Sequence, residues 1–144
     1  MSETLPAAAE TRDVVQSMWR GARCRCPACG EGRIFRAYLK VNDYCPECGE
    51  ALYHQRADDA PPYVVIFIVG HIIIGLLLGV EKAFQPELWV HMVLWLPLTA
   101  ILSLALLPPV KGALIGLQWA IKMHGFDPSS PEALEPPREG VAAQ

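Results

Sequence analysis

The sequence predicts a small four-cysteine module, zinc-ribbon-like in its spacing, joined to an α-helical transmembrane hairpin. Three observations carry that fold class. Two matched knuckles, Cys26-Pro27-Ala28-Cys29-Gly30 and Cys45-Pro46-Glu47-Cys48-Gly49, stand ahead of an uncharged run over residues 63–80 and a second over residues 88–107. Runs of that length match the roughly 20 residues a helix needs to cross about 30 Å of hydrocarbon. Nothing else in the 144 residues could enclose two such helices as the core of a soluble domain.

The connection between the runs is short, so the spans should form an antiparallel hairpin. Eight of the twelve basic residues precede Pro61, and Lys111, Lys122 and Arg138 follow the second run. By the positive-inside rule both termini belong in the cytoplasm of a bacterial inner membrane, with the loop outside. The net charge of −3 averages these two faces and says little. No secretory signal is expected near the N-terminus, because Glu3, Glu10 and Asp13 interrupt it and no apolar stretch there is long enough. The first span then serves as its own insertion signal.

In a reducing cytoplasm, paired Cys-x-x-Cys spacings favour metal ligation over disulfides, and the odd total of five cysteines agrees. Cys26, Cys29, Cys45 and Cys48 would supply four thiolates to zinc at about 2.3 Å, and iron takes the same ligands in a rubredoxin-like site. Gly30 and Gly49 let the backbone turn behind each pair. Four ligands close the site, which argues against zinc hydrolysis, and no catalytic constellation stands elsewhere. Dithiol redox exchange would need a thioredoxin-like unit, for which there is no room before Tyr63. Cys24 is an accessory candidate, since with Cys26 and Cys29 it could pass on a soft metal such as Cu(I). His54 is a possible substitute ligand that a complete four-cysteine set makes unnecessary.

Between the knuckles, Ile34, Tyr38 and Leu39 suit a strand after Gly32, with Asn42-Asp43 as a turn signal. So small a module has little core and should depend on its metal. The acidic residues Glu31, Asp43, Glu47 and Glu50 deny it a basic stripe, so nucleic acid is not an expected partner.

The domain boundaries expected are a tail and short helix over residues 1–19, the cysteine module and a polar linker over 20–60, and the hairpin over 61–107. An amphipathic or continuing helix follows over 108–126, and a disordered tail over 127–144. Val14, Val15, Met18 and Trp19 would line one side of the first helix, leaving Arg20, Arg23 and Arg25 near anionic headgroups or in a solvated linker. In the first span Gly75 and Gly79, with Gly70 nearby, form a small-residue face that lets another helix approach, the second span being the obvious partner. Pro97 should kink the second span, and Pro109 favours a break before the helix bearing Lys111, Gln118 and Lys122 on one stripe. His71, near mid-span, is either a neutral side chain bonded across to a carbonyl or to Thr99, or an intramembrane contact to a partner or cofactor. His91 lies too far from it in depth to share a metal. Trp89, Trp95 and Trp119 read as interface anchors or packing residues.

These pieces resemble a bacterial membrane family catalogued as a domain of unknown function, DUF983. The resemblance runs from Arg20 to Phe126 and is carried by Cys26-Pro-Ala-Cys-Gly-Glu-Gly-Arg-Ile-Phe35, the second knuckle, Arg56-Ala-Asp-Asp-Ala-Pro-Pro62, Gly70-His71, Leu94-Trp-Leu-Pro97, Pro109-Val-Lys-Gly112 and Gln118-Trp119. It implies a cytoplasmic cysteine module ahead of an inner-membrane hairpin. Members encoded near haem-copper oxidase and its assembly factors imply a setting in respiratory-complex biogenesis.

The expected function is therefore a non-enzymatic, membrane-anchored, zinc-binding interaction or assembly factor. Its partners would be the bilayer and a membrane protein, with cytochrome oxidase or its assembly factors as candidates and homo-oligomers also open. The alternative is a cysteine-based copper or redox carrier, and a transporter subunit made of oligomerised hairpins ranks last.

Overall fold

The computed structural model describes residues 11–57 and 59–136. The first ten residues, Asp58, Arg138 and the end of the C-terminal tail lie outside the described residues. Helix α1 spans Val14–Ala22, strands β1 (Phe35–Ala37) and β2 (Lys40–Val41) form an antiparallel hairpin, and the long helices are α2 (Ala60–Phe84) and α3 (Leu88–Ala120). Short 3-10 turns follow at His124–Phe126 and Pro131–Leu134.

Helix α2 starts on Pro61-Pro62, whose fixed φ suits a first turn, and ends on Gln85 in the left-handed region (φ 44°). It packs on α3 through Val65, Val69 and Ile73, one residue per turn on a single face, against the buried ring of Trp95. Leu77, Leu98, Leu102 and Leu106 extend that seam. The outer surface of the pair stays apolar, with Ile66, Phe67, Ile74, Leu96 and Ile101 all at least 60% exposed. Both helices are long and apolar enough to cross a membrane, and an exposed greasy exterior is what such helices present to lipid rather than to a protein core.

The glycine face does not meet α3. Among the described residues nothing approaches within 4 Å of a side-chain position at Gly70, Gly75 or Gly79, because the β-branched row at 65, 69 and 73 takes that contact instead. His71 is exposed and bonds through Nδ1 to the Phe67 carbonyl at 2.7 Å, one turn back on its own helix, rather than to Thr99. Thr99 does the same, donating to Trp95 O at 2.7 Å.

Helix α3 does not break at Pro109 but continues through Pro97, Pro108 and Pro109 to Ala120. A proline in a helix frees the carbonyl four residues back. For Pro108 that carbonyl is Leu104 O, and the Tyr38 hydroxyl donates to it at 2.6 Å. The gap in the ladder is filled from outside the helix.

Helix α1 is capped by Asp13, whose carboxylate accepts from Gln16 N at 3.0 Å. It runs antiparallel to the end of α3, with Gly21 against Gly112 and Ser17 against Gly116. A Cβ on either α3 glycine would collide with the facing backbone carbonyl, so the two backbones touch. The small-residue crossing is therefore here, and the basic first helix stacks on a protein helix instead of lying as a solvated linker. The expected disorder after residue 127 also gives way, within the described residues, to a 3-10 turn bearing Glu132, which pairs with Arg56 at 3.7 Å and His124 at 3.9 Å.

Candidate metal centre

The two knuckles fold alike. In the first, Gly30 N donates to Cys26 O at 2.8 Å and Cys26 N to Gly32 O at 2.7 Å; in the second, Gly49 N donates to Cys45 O at 3.0 Å and Cys45 N to Glu50 O at 2.8 Å. Each turn ends on a glycine in the left-handed region, Gly30 at φ 77° and Gly49 at φ 75°, where an L side chain is strained. Isolated bridges, Arg25 with Arg33 and Tyr44 with Ala51, close the two loops.

This brings Cys26, Cys29, Cys45 and Cys48 together with all four sulfurs within 4.8 Å of one another. Cys26 lies 3.8 Å from Cys48, and Cys29 3.8 Å from Cys45. Four thiolates about 2.3 Å from one ion would stand about 3.8 Å apart along the edges of a tetrahedron. The cluster fits a metal of that size. Gly32 completes the cradle, because a Cβ there would run into the Cys45 sulfur.

Burial and backbone amides pull on the clustered thiols in opposite directions. Burial pushes the Cys26 thiol up, against donation from the Cys29 and Ala28 amides. Burial also raises Cys48, with the Glu50 amide opposing it. At Cys29 burial acts the same way, but the Gly32 and Glu31 amides, each 3.5 Å from Sγ, outweigh it and bring the thiol down to about 7. Amides aimed at sulfur stabilise the charged form that a metal requires.

Cys24 is not among the clustered sulfurs. It adopts φ 58°, and burial raises its thiol pKa, which disfavours the thiolate. His54 also stays outside the cluster, stacked at 4.0 Å on Tyr53 and edge-on at 5.8 Å to Phe126.

The module has more core than its length suggested, because α3 supplies it. Ile34, Ala57 and Ile115 are fully buried together, and Leu52 packs under Cys26 and Cys45. Around them polar bonds fasten the module to the helix: Lys111 Nζ to Leu39 O at 3.1 Å, Arg56 N to Gln118 Oε1 at 3.1 Å, and Trp119 Nε1 to Glu50 Oε1 at 2.9 Å. Arg20 reaches from α1 to the first knuckle, donating to Pro27 O at 3.1 Å and Ala28 O at 3.0 Å. Arg12 stacks on the Trp119 ring at 4.2 Å and donates to its carbonyl at 2.7 Å. The stripe of Lys111 and Gln118 thus faces the cysteine module, and the turn of the β-hairpin falls at Tyr38-Leu39 rather than at Asn42-Asp43. The expected linker after Tyr53 is packed against α3 and Phe126.

A second polar group escaped the sequence reading. At the far end of the hairpin Trp95 Nε1 donates to His91 Nδ1 at 2.9 Å, and His91 Nε2 meets Glu81 Oε2 at 3.0 Å across the two helices. Only the hairpin register brings Glu81 and His91 together.

A family model, described as a protein of unknown function (DUF983), matches residues 35–119. The chain belongs to the DUF983 family. The match takes in the second knuckle, α2 and α3 as far as Trp119, and begins after Cys26 and Cys29. Neither a curated protein nor a solved structure gives a match.

Proposed function

We propose that this DUF983 member is a membrane-anchored interaction factor whose cysteine module holds a structural zinc ion at the cytoplasmic face of a bacterial inner membrane. The observation that carries the reading is the closed four-sulfur cluster seated rigidly on the end of α3. All four sulfurs are turned toward one another, so a bound ion has no open position for substrate, and its work is to stiffen a docking surface. The outward row of Phe67, His71, Gly75 and Gly79 lies about 200° around α2 from the seam with α3. It offers a membrane partner a polar side chain and two sites of close backbone approach.

The finer reading is assembly of a haem-copper oxidase, and its support is the family resemblance. Deleting the gene in a bacterium that carries it should lower oxidase content, haem insertion or copper loading. Unchanged oxidase abundance and activity would remove that role while leaving the metal site untouched. The carrier alternative has less support, because Cys24 sits apart from the other four thiols.

A further inference from the structure

We infer that the tip of the β1–β2 hairpin is a lipid-binding element that seats in the headgroup layer of an anionic phospholipid leaflet. The inference rests on the membrane-spanning reading of α2 and α3 proposed above.

Depth comes first. Tyr38 donates its hydroxyl to Leu104 O at 2.6 Å, and Leu104 stands seven residues before Lys111, the first charged residue after the second apolar run. At 1.5 Å per residue the hydroxyl therefore reaches about 10 Å along α3 from Lys111 toward the bilayer. The requirement is built into the sequence, since Pro108 denies Leu104 its helical donor and an unmet carbonyl at that depth is costly. The remaining fastenings climb α3 in order: Leu39 at Lys111, Ile34 at Ile115, Arg56 at Gln118 and Glu50 at Trp119. The module thus stands upright along α3, its hairpin tip at the bilayer and its metal knuckles about 22 Å further along the helix than the Tyr38 contact.

Charge follows the same axis. Arg36 and Lys40 belong to the hairpin, and among the described residues no ion pair engages them. Glu31, Glu47 and Glu50 belong to the knuckles at the other end, where Arg20 and Arg25 are engaged by backbone carbonyls of the first knuckle. Tyr38 keeps 57% of its surface exposed although its hydroxyl is bonded, the state of an aromatic ring at a membrane interface. A basic edge around an exposed aromatic tip, fixed at the depth of the headgroups, is complementary to anionic lipid and not to the aqueous side.

The test uses the full chain in nanodiscs of phosphatidylcholine alone and of an equimolar mixture with phosphatidylglycerol. Hydrogen exchange at residues 36–40 should slow by about tenfold in the mixed discs, with residues 45–50 unchanged. Equal exchange at 36–40 in the two discs overturns the inference. The variant R36Q/K40Q should lose the difference, and its enrichment of phosphatidylglycerol on extraction in mild detergent should fall on the order of fivefold per neutralised side chain. Full enrichment in the variant also overturns it. Should that variant misfold, shown by a loss of bound metal, the native comparison still decides. Alkaline carbonate separates the two readings. A chain that resists extraction from vesicles but ignores headgroup charge sinks the lipid site alone, whereas a chain that is stripped off sinks the spanning reading as well.

Discussion

Two glycine pairs with the same four-residue spacing stand on the two long helices, Gly75 and Gly79 on α2 and Gly112 and Gly116 on α3, and only the second is filled. Around the α2 pair there is open space, whereas the backbone of Ser17 and Gly21 presses directly on the α3 pair. A glycine inside a helix costs up to about 1 kcal/mol relative to alanine. At Gly112 and Gly116 that cost is offset within the chain by close contact with α1. At Gly75 and Gly79 no described residue supplies compensation, which is why that face is assigned to a partner in the proposal above. Spacing marks where helices can approach, and the surroundings decide whether one does.

The sharpest way to break the comparison is to fill each pair. Gly116→Val should destabilise the folded chain by about 3 kcal/mol through overpacking against Ser17 O, read as a lowered unfolding midpoint in detergent. Gly79→Val should change the stability by no more than about 0.5 kcal/mol, as an exposed site does. Equal effects would remove the distinction.

A second test concerns how α3 survives its prolines. Tyr38→Phe should cost about 1 kcal/mol, because Leu104 O loses its donor. Pro108→Ala restores a backbone N–H to that carbonyl, so the Tyr38→Phe penalty should shrink in the double variant. Additive penalties would mean that the hydroxyl does not complete the helix.

A smaller effect is expected from pH. Burial of His54 lowers its pKa, against the pull of Glu50, Glu132 and Glu135. The folded chain therefore takes up this proton less readily than the unfolded chain. Its contribution is full above the ordinary value of about 6.5 and is lost as pH falls through the lower folded value. His54→Gln should flatten the decline in unfolding midpoint between about pH 7 and 5. The smallest effect belongs to Cys24→Ser, which should leave metal content and affinity unchanged, whereas a transfer site would lose both.

Much of this architecture is legible in the sequence because its strongest constraints are local. The knuckles are read from neighbouring cysteines and glycines, and the two long helices from their uncharged runs. The seat of the module is not local. Ser17 and Gly21 carry no more signal than any small pair until α1 is laid antiparallel to α3, and Pro108-Pro109 reads as a stop because its remedy is Tyr38, 70 residues earlier in the chain. The Glu81–His91–Trp95 chain likewise depends on hairpin register. Gly32 could have been singled out, since a glycine three residues after Cys29 invites the question of what a side chain would strike.

Metal content of the intact chain, purified in mild detergent under reducing conditions, bears on all of this most directly. Native protein should carry one ion per chain, zinc by expectation, and Cys45→Ser should bind it far more weakly. A folded native chain without any ion, or a Cys45→Ser variant that keeps its full complement, would contradict a cage made by these four sulfurs.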